Sequence, residues 1–256
     1  MLDRPDLFPD PLAEPPDGPV PPPPVVASTL EGLLRGHPAL VLAPHPDDES
    51  LACGALLAAA FAGPGAHVIC LTDGGASHVG SPTWPREALS ALRRRELECA
   101  LERLGGSAQD LTWLGLPDAR TDEIANLGPT LAAVIEAIRR TRARSLFAPC
   151  ETDPHCDHEV AASVARAAAR MTGLRLFSYP VWSRWHDPAF RARLGRVREH
   201  RFDPGPWRAA KRAAIRCHRS QLGEVISDAP QAFEMAPAFV EMFETGPEIF
   251  FEREPR

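Results

Sequence analysis

The sequence predicts an α/β fold: a single domain on a mostly parallel sheet with helices on both faces, extended at its C-terminal end by further strand and helix. Three observations predict it. Short apolar runs bounded by turn residues read as buried strands, longer segments with helical spacing read as helices, and the two alternate from residue 39 to 182. Such alternation gives parallel strands joined by right-handed crossovers. A chain of 256 residues is long enough to bury one core of this kind.

Taken in order, residues 1–26 hold ten of the 28 prolines, with PPPP at 21–24. Fixed φ and missing donors favour an extended tail over helix or sheet, so the folded unit is expected to span 27–256. STLEGLL opens it as a short helix, with Ser28 and Glu31 at capping-box spacing. Strands are expected at ALVLAP (39–44), HVICLTD (67–73), LTWLGL (111–116), SLFAPC (145–150) and LRLFSYPVW (174–182). Helices are expected at 51–62, 86–104, 127–142 and 158–171; the second spaces Leu89, Leu92, Leu97, Leu101 and Leu104 among charges. RVREHRFD (196–203) reads as an added strand, PWRAAKRAAIRCHRSQ (206–221) as a helix with Pro206 near its first turn, and PEIFFERE (247–254) as a last strand.

Composition narrows the function. A net charge of −6 offers no basic footprint for a phosphate backbone, which argues against nucleic acid as a partner. No run of about 18 apolar residues is present, and the N-terminus lacks a basic start and an apolar core. We expect no integral membrane segment and a cytoplasmic location. The six cysteines form no CxxC pair and read as reduced, structural thiols.

In an open parallel sheet, ligands sit beyond the carboxyl ends of the strands. PHPDDE follows the first strand, TDGG the second, and ETDPHCDHEVAA the fourth, bringing two acid/histidine clusters to one edge. Crowded carboxylates repel unless a cation lies among them. A His/Asp/His set drawn from both clusters leaves an open position, which suits catalysis by zinc or another divalent first-row metal. Spacing alone leaves open which aspartate of DD faces the metal. No GxGxxG follows the first strand, and acids in its place would repel a pyrophosphate, so a dinucleotide site is not expected.

PHPDDE paired with a later HxDH, here HCDH, resembles the PIG-L/LmbE-like family of zinc-dependent N-acetylglucosaminyl deacetylases. TDGGAS, RRRELECALERLG, LGLPD and HRSQ extend the resemblance over most of residues 39–222. It implies a Rossmann-like fold, His45, Asp48 and His158 as metal ligands, and Asp47 as general base. It also implies that His155, if protonated, stabilises the oxyanion, while Asp157 orients or tunes its neighbours. One departure stands out: Cys156 replaces the usual proline, removing its fixed φ and making the loop less rigid. Adjacent side chains diverge, so the thiol is not expected on the metal.

The resemblance brings Arg93 toward a sugar hydroxyl or phosphate, although Arg93 and Glu96 at i, i+3 also suit a solvated ion pair. Asp118 is a second candidate for sugar hydroxyls, against an ordinary turn role. Asp73 reads as a partner of His45 or of substrate, Glu49 as loop support, and Trp182 and Trp185 as packing residues; His218 is assigned no role. The expected activity is metal-dependent hydrolysis of an N-acetyl group from a GlcNAc-containing small molecule, lipid-linked sugar or glycoconjugate, with a small amino-sugar substrate as partner. A metal-dependent amidase or esterase for a non-sugar substrate, or a non-catalytic sugar-binding protein, are the alternatives.

Overall fold

The computed structural model describes residues 22–253. Its elements in chain order are β1 (Val25–Ser28), α1 (Leu30–Leu34), β2 (Ala39–Ala43), α2 (Asp48–Phe61), β3 (Ala66–Thr72), β4 (His78–Val79), α3 (Arg86–Arg103), β5 (Leu111–Leu116), α4 (Gly128–Thr141) and β6 (Ser145–Pro149). Then come α5 (Cys156–Thr172), β7 (Arg175–Tyr179), α6 (Trp182–His186), α7 (Phe190–Arg193), β8 (Val197–Phe202), α8 (Arg208–Ile215), β9 (Gln231–Ala232), α9 (Pro237–Thr245) and β10 (Glu248–Arg253).

The main sheet runs β1-β8-β10-β7-β6-β2-β3-β5. From β7 to β5 every neighbour is parallel, while β10 lies antiparallel to both β7 and β8. Connections leave β2 toward β3 on one side and reach β6 on the other, so the strand order switches between β2 and β6. The crevice beyond their carboxyl ends is where such sheets take ligands. PHPDDE and HCDH follow these two strands.

Strands buried on both faces read as continuous apolar runs, and successive side chains divide between two cores. Val41, Ala43, Val68 and Cys70 pack with Leu56, Leu97 and Phe239 from α2, α3 and α9. Leu40, Leu42, Ile69 and Leu71 pack on the opposite face with Val134 and Ile138 of α4 and Val164 and Ala168 of α5. Nearly every residue of α2 is buried, because sheet, α8 and α9 enclose it.

A buried ion pair reaches into α2. Lys211 Nζ donates to Glu248 Oε1 at 2.7 Å, and the same carboxylate accepts the backbone N–H groups of Ala55 (2.7 Å) and Leu56 (2.8 Å). Gly54 makes room for it: a Cβ there would lie 2.9 Å from Lys211 Cγ.

Several expectations are corrected. The tail expected to reach residue 26 gives way earlier, since Val25–Ser28 pairs in parallel with β8 as an edge strand; residues 1–21 lie outside the described residues. Thr29, not Ser28, caps α1, its hydroxyl accepting from Gly32 N at 3.1 Å. The helix expected over 206–221 ends at Ile215, where the chain turns so that Ser220 N donates to Glu96 at 2.8 Å. Helices α6, α7 and α9 and the β4–β9 ribbon were not expected. Among the described residues no helix is long and apolar enough to cross a membrane.

On the β7–β10–β8 side, Arg175 and His200 contact Glu252 at 2.7 and 3.2 Å. Burial opposes its charge, but hydrogen bonds from His200 and Arg175 outweigh burial and lower its pKa from 4.5 to about 2. A depressed folded-state pKa gives stability that is present above pH 4.5 and fades toward pH 2. Thermal melts should therefore show Glu252→Gln below wild type at pH 7, with the gap closing as pH falls through that window.

Candidate functional site

At the β2/β6 switch the chain leaves β2 through Pro44 and Pro46, and α2 begins at Asp48. Asp47 holds φ 152° and ψ −30°, a conformation L-residues rarely adopt, which costs on the order of 1–3 kcal/mol. Its amide donates to Glu49 Oε2 at 3.0 Å. Glu49 in turn meets His218 Nε2 at 3.1 Å and accepts from the Ser50 hydroxyl, so a buried polar group fixes the strained turn from behind. Across the crevice His155 is the N-cap of α5, its Nδ1 accepting from Asp157 N at 3.2 Å.

His45, Asp48 and His158 converge: one donor atom from each lies within 4.8 Å of the others, and all three residues are buried. His45 Nδ1 stands 3.3 Å, and His158 Nε2 3.4 Å, from Asp48 Oδ2. His158 Nε2 is a buried nitrogen with no hydrogen-bond partner among the described residues, as expected of an atom reserved for something else. Two imidazoles and a carboxylate form a donor set that fits zinc or a related divalent cation.

Each imidazole is held from its far side. His45 Nε2 lies 3.1 Å from Asp157 Oδ2 and 3.3 Å from Asp118 Oδ1. His158 Nδ1 lies 3.0 Å from Asp153 Oδ2, and Asp153 also accepts the amides of Val181 and Ser183. Asp157 is further occupied by Ala119 N and by the amide and hydroxyl of Thr121. It therefore ties the loop after β5 to α5 and orients His45, although His45, His155 and Asp157 form a second cluster.

The electrostatics follow. Burial disfavours charge on His45, but Asp118, Asp157 and Asp48 outweigh it and raise its pKa well above 6.5. His158 rises to about 9 against burial, through Asp48 and Asp153. Burial also works against Asp48 and Asp157, yet the facing imidazoles hold both well below the usual carboxylate range. Asp47 differs. Burial lifts it to about 7, moderated by Arg93 and reinforced by Asp48.

Arg93, expected to reach substrate, is committed elsewhere. It is buried, and it donates to Gly74 O (2.9 Å), Pro46 O (3.0 Å) and Asp47 Oδ2 (2.9 Å). Gly74 sits at φ +64°, and a Cβ there would press on the guanidinium at 3.0 Å. The Arg93–Glu96 pair does not form either, since Glu96 binds Ser220. Asp118 accepts from Ala76 N at 2.8 Å besides facing His45, which leaves it lining the cleft as a partner of the ring. Asp73 pairs with Arg86 rather than His45.

His155 is also revised. Burial and the neighbouring His45 and His158 push it down to about 4, so it is neutral at pH 7. Because Nδ1 accepts a backbone N–H, its proton sits on Nε2, and it can still donate a neutral hydrogen bond. Cys156 directs its thiol to Asp157 Oδ1, and burial with that carboxylate pushes its pKa up to about 12. It is a protonated thiol outside the donor set.

Sequence reasoning passed over Asp153, which stands in the same ETDPHCDH stretch but at a loop spacing that no helical or strand period singles out. Orienting carboxylates of this kind tune a ligand's basicity. Asp153→Ala should weaken zinc affinity about 10–100-fold, measured by competition with a chelator. Also missed were Gln221, Phe233, Met235 and Phe239, which with Trp182 line a cleft of about 220 Å³ around Asp47 and His155.

A three-layer α/β domain with a His/Asp/His donor set and a buried carboxylate at its switch point defines the class of protein. Residues 40–169 match the PIG-L family, described as GlcNAc-PI de-N-acetylase, and the chain belongs to that family. It is similar to the 2'-N-acetylparomamine deacetylase of Streptomyces fradiae, 36% identical over 166 residues; the match spans 58% of this chain and 58% of that relative's length. Among solved structures, the conserved protein TT1542 of Thermus thermophilus superposes with a TM-score of 0.60 at 28% identity, over 85% of this chain and 94% of that one. The 4-carboxy-2-hydroxymuconate hydratase of Pseudomonas putida shares the fold at 19% identity (TM-score 0.64, covering 86% and 97%). One fold thus carries different reactions, and the reaction must be argued from the site.

Proposed function

We propose that this protein is a metal-dependent N-deacetylase that hydrolyses the acetamide of a GlcNAc-type amino sugar to acetate and the free amine. The observation that carries the reading is the convergence of His45, Asp48 and His158 beside Asp47, a buried carboxylate whose pKa is lifted to about 7. The deacetylase relative on an acetylated amino sugar supports it.

His45, Asp48 and His158 hold the cation, zinc by the chemistry of the donors. When bound, it supplies charge that acidifies water and polarises the acyl oxygen. Asp47 takes the proton from the attacking water, a task that suits a base with a pKa close to the working pH. Arg93 keeps Asp47 aimed through Oδ2 and prevents burial from raising its pKa further. As the new C–O bond forms, the acyl oxygen gains negative charge, and His155 donates its Nε2 proton as a hydrogen bond toward it. The C–N bond then breaks, and the proton held by Asp47 passes to the leaving nitrogen.

The test is acetate release from a panel of N-acetylated amino sugars by protein of measured zinc content. Release that scales with zinc occupancy and stops on chelation is the expected result. A zinc-loaded chain that releases none would overturn the reading.

A further inference from the structure

The donor set and Asp47 lie within residues 40–169, but the opposite wall of the cleft does not. Trp182, Phe233, Met235 and Phe239 supply it. The Trp182 and Phe239 rings stack 5.0 Å apart, and Phe233 meets Trp182 edge-on at 5.6 Å. The β4–β9 ribbon brings Phe233 there, its amide donating to Ser77 O at 2.8 Å. Aromatic surface of this kind packs against the apolar face of a ring.

Charge and hydrogen bonding restrict the ligand further. Asp47, Asp48 and Asp118 line the cleft, and among the described residues that line it Arg93 is the only lysine or arginine. Both terminal nitrogens of Arg93 are engaged and only its buried Nε lacks a partner among the described residues, so an incoming phosphate or carboxylate would meet mainly the carboxylates of the lining. Gln221 is fully buried at the cleft. Ser220 gives its hydroxyl proton to Glu96, so Gln221 must turn its NH2 toward Ser220 and Ser77, and its Oε1 has no partner among the described residues. A lone acceptor beside carboxylates calls for a hydroxyl or ammonium donor.

Resting on the deacetylase reading, we propose that the cleft selects a neutral or cationic N-acetylated glycoside whose aglycone or second ring lies on Trp182 and Phe233, and that it rejects anionic aglycones. The cleft is smaller than the roughly 300–1,000 Å³ that encloses drug-sized ligands. It therefore holds about one ring beyond the acetamide, with the rest of the substrate outside.

The test reads binding and turnover separately, using the methyl, phenyl and 4-carboxyphenyl glycosides of N-acetylglucosamine. In the full chain carrying Asp47→Asn, calorimetry should show the phenyl glycoside binding about tenfold tighter than the methyl, as expected for ring-sized apolar contact. The carboxyphenyl glycoside should bind roughly tenfold more weakly than the phenyl. Trp182→Ala and Phe233→Ala on that background should erase the phenyl advantage and leave methyl affinity within about threefold. Equal or tighter carboxyphenyl binding, a phenyl advantage that survives both substitutions, or no binding of any glycoside overturns the proposal. If the binding order holds but the wild-type chain releases no acetate, the deacetylase reading falls and the selectivity stands; acetate released without preference sinks the selectivity alone.

Discussion

Asp47→Asn is expected to reduce acetate release by on the order of 10²–10⁴-fold while zinc content and melting temperature stay near wild type. Asparagine keeps the shape of the side chain and can still accept from Arg93, but it cannot hold the proton of the attacking water. Since Asp47 must be ionised to act, kcat/KM in the wild type should rise with pH through about 7 and then level. Arg93→Met tests the same assignment from the other side. Without its guanidinium the carboxyl is harder to ionise, so the rise should move to higher pH. Asn at position 47 turning over as fast as Asp would remove the proposed base.

The largest expected loss of stability comes from a residue remote from the reacting atoms. Glu248→Ala removes the partner of a fully buried ammonium and strands the N–H groups of Ala55 and Leu56. Breaking a buried pair in this way costs about 3–5 kcal/mol, because an uncompensated charge remains inside. Lys211→Met should cost less, since the carboxylate keeps two backbone donors and burial already favours a neutral lysine. Urea unfolding of both variants and of the double mutant measures the coupling; an effect below about 1 kcal/mol for Glu248→Ala would contradict it. Zinc affinity should fall in the same variant, because α2 positions Asp48.

Much of this was legible in the chain. ALVLAP and SLFAPC announce strands because burial on both faces leaves no polar alternation, and the acids and histidines after them announce a shared edge. The residues that converge are those the two motifs contain. What stayed hidden depends on tertiary partners. Val25–Ser28 forms a strand only because β8 offers a pairing edge, with Glu199 N donating to Pro24 O, while the preceding prolines argue for a tail. The end of α8 is set by Glu96, more than a hundred residues away. Arg93 could be read as a substrate ligand until the fold placed Asp47 and two carbonyls around it. Asp153 and Gln221 matter through a single atom each, and no periodicity marks one atom.

Glu248 also gives this protein an order of events during synthesis. Its carboxylate leaves the ribosome some 190 residues after α2 does, roughly 10–40 s later at ordinary elongation rates. Through the later part of that interval the nascent chain already carries every member of the donor set, yet two amides of the helix bearing Asp48 await their acceptor. A chain stalled before Glu248 is made is therefore a complete set of ligands on an unfinished support.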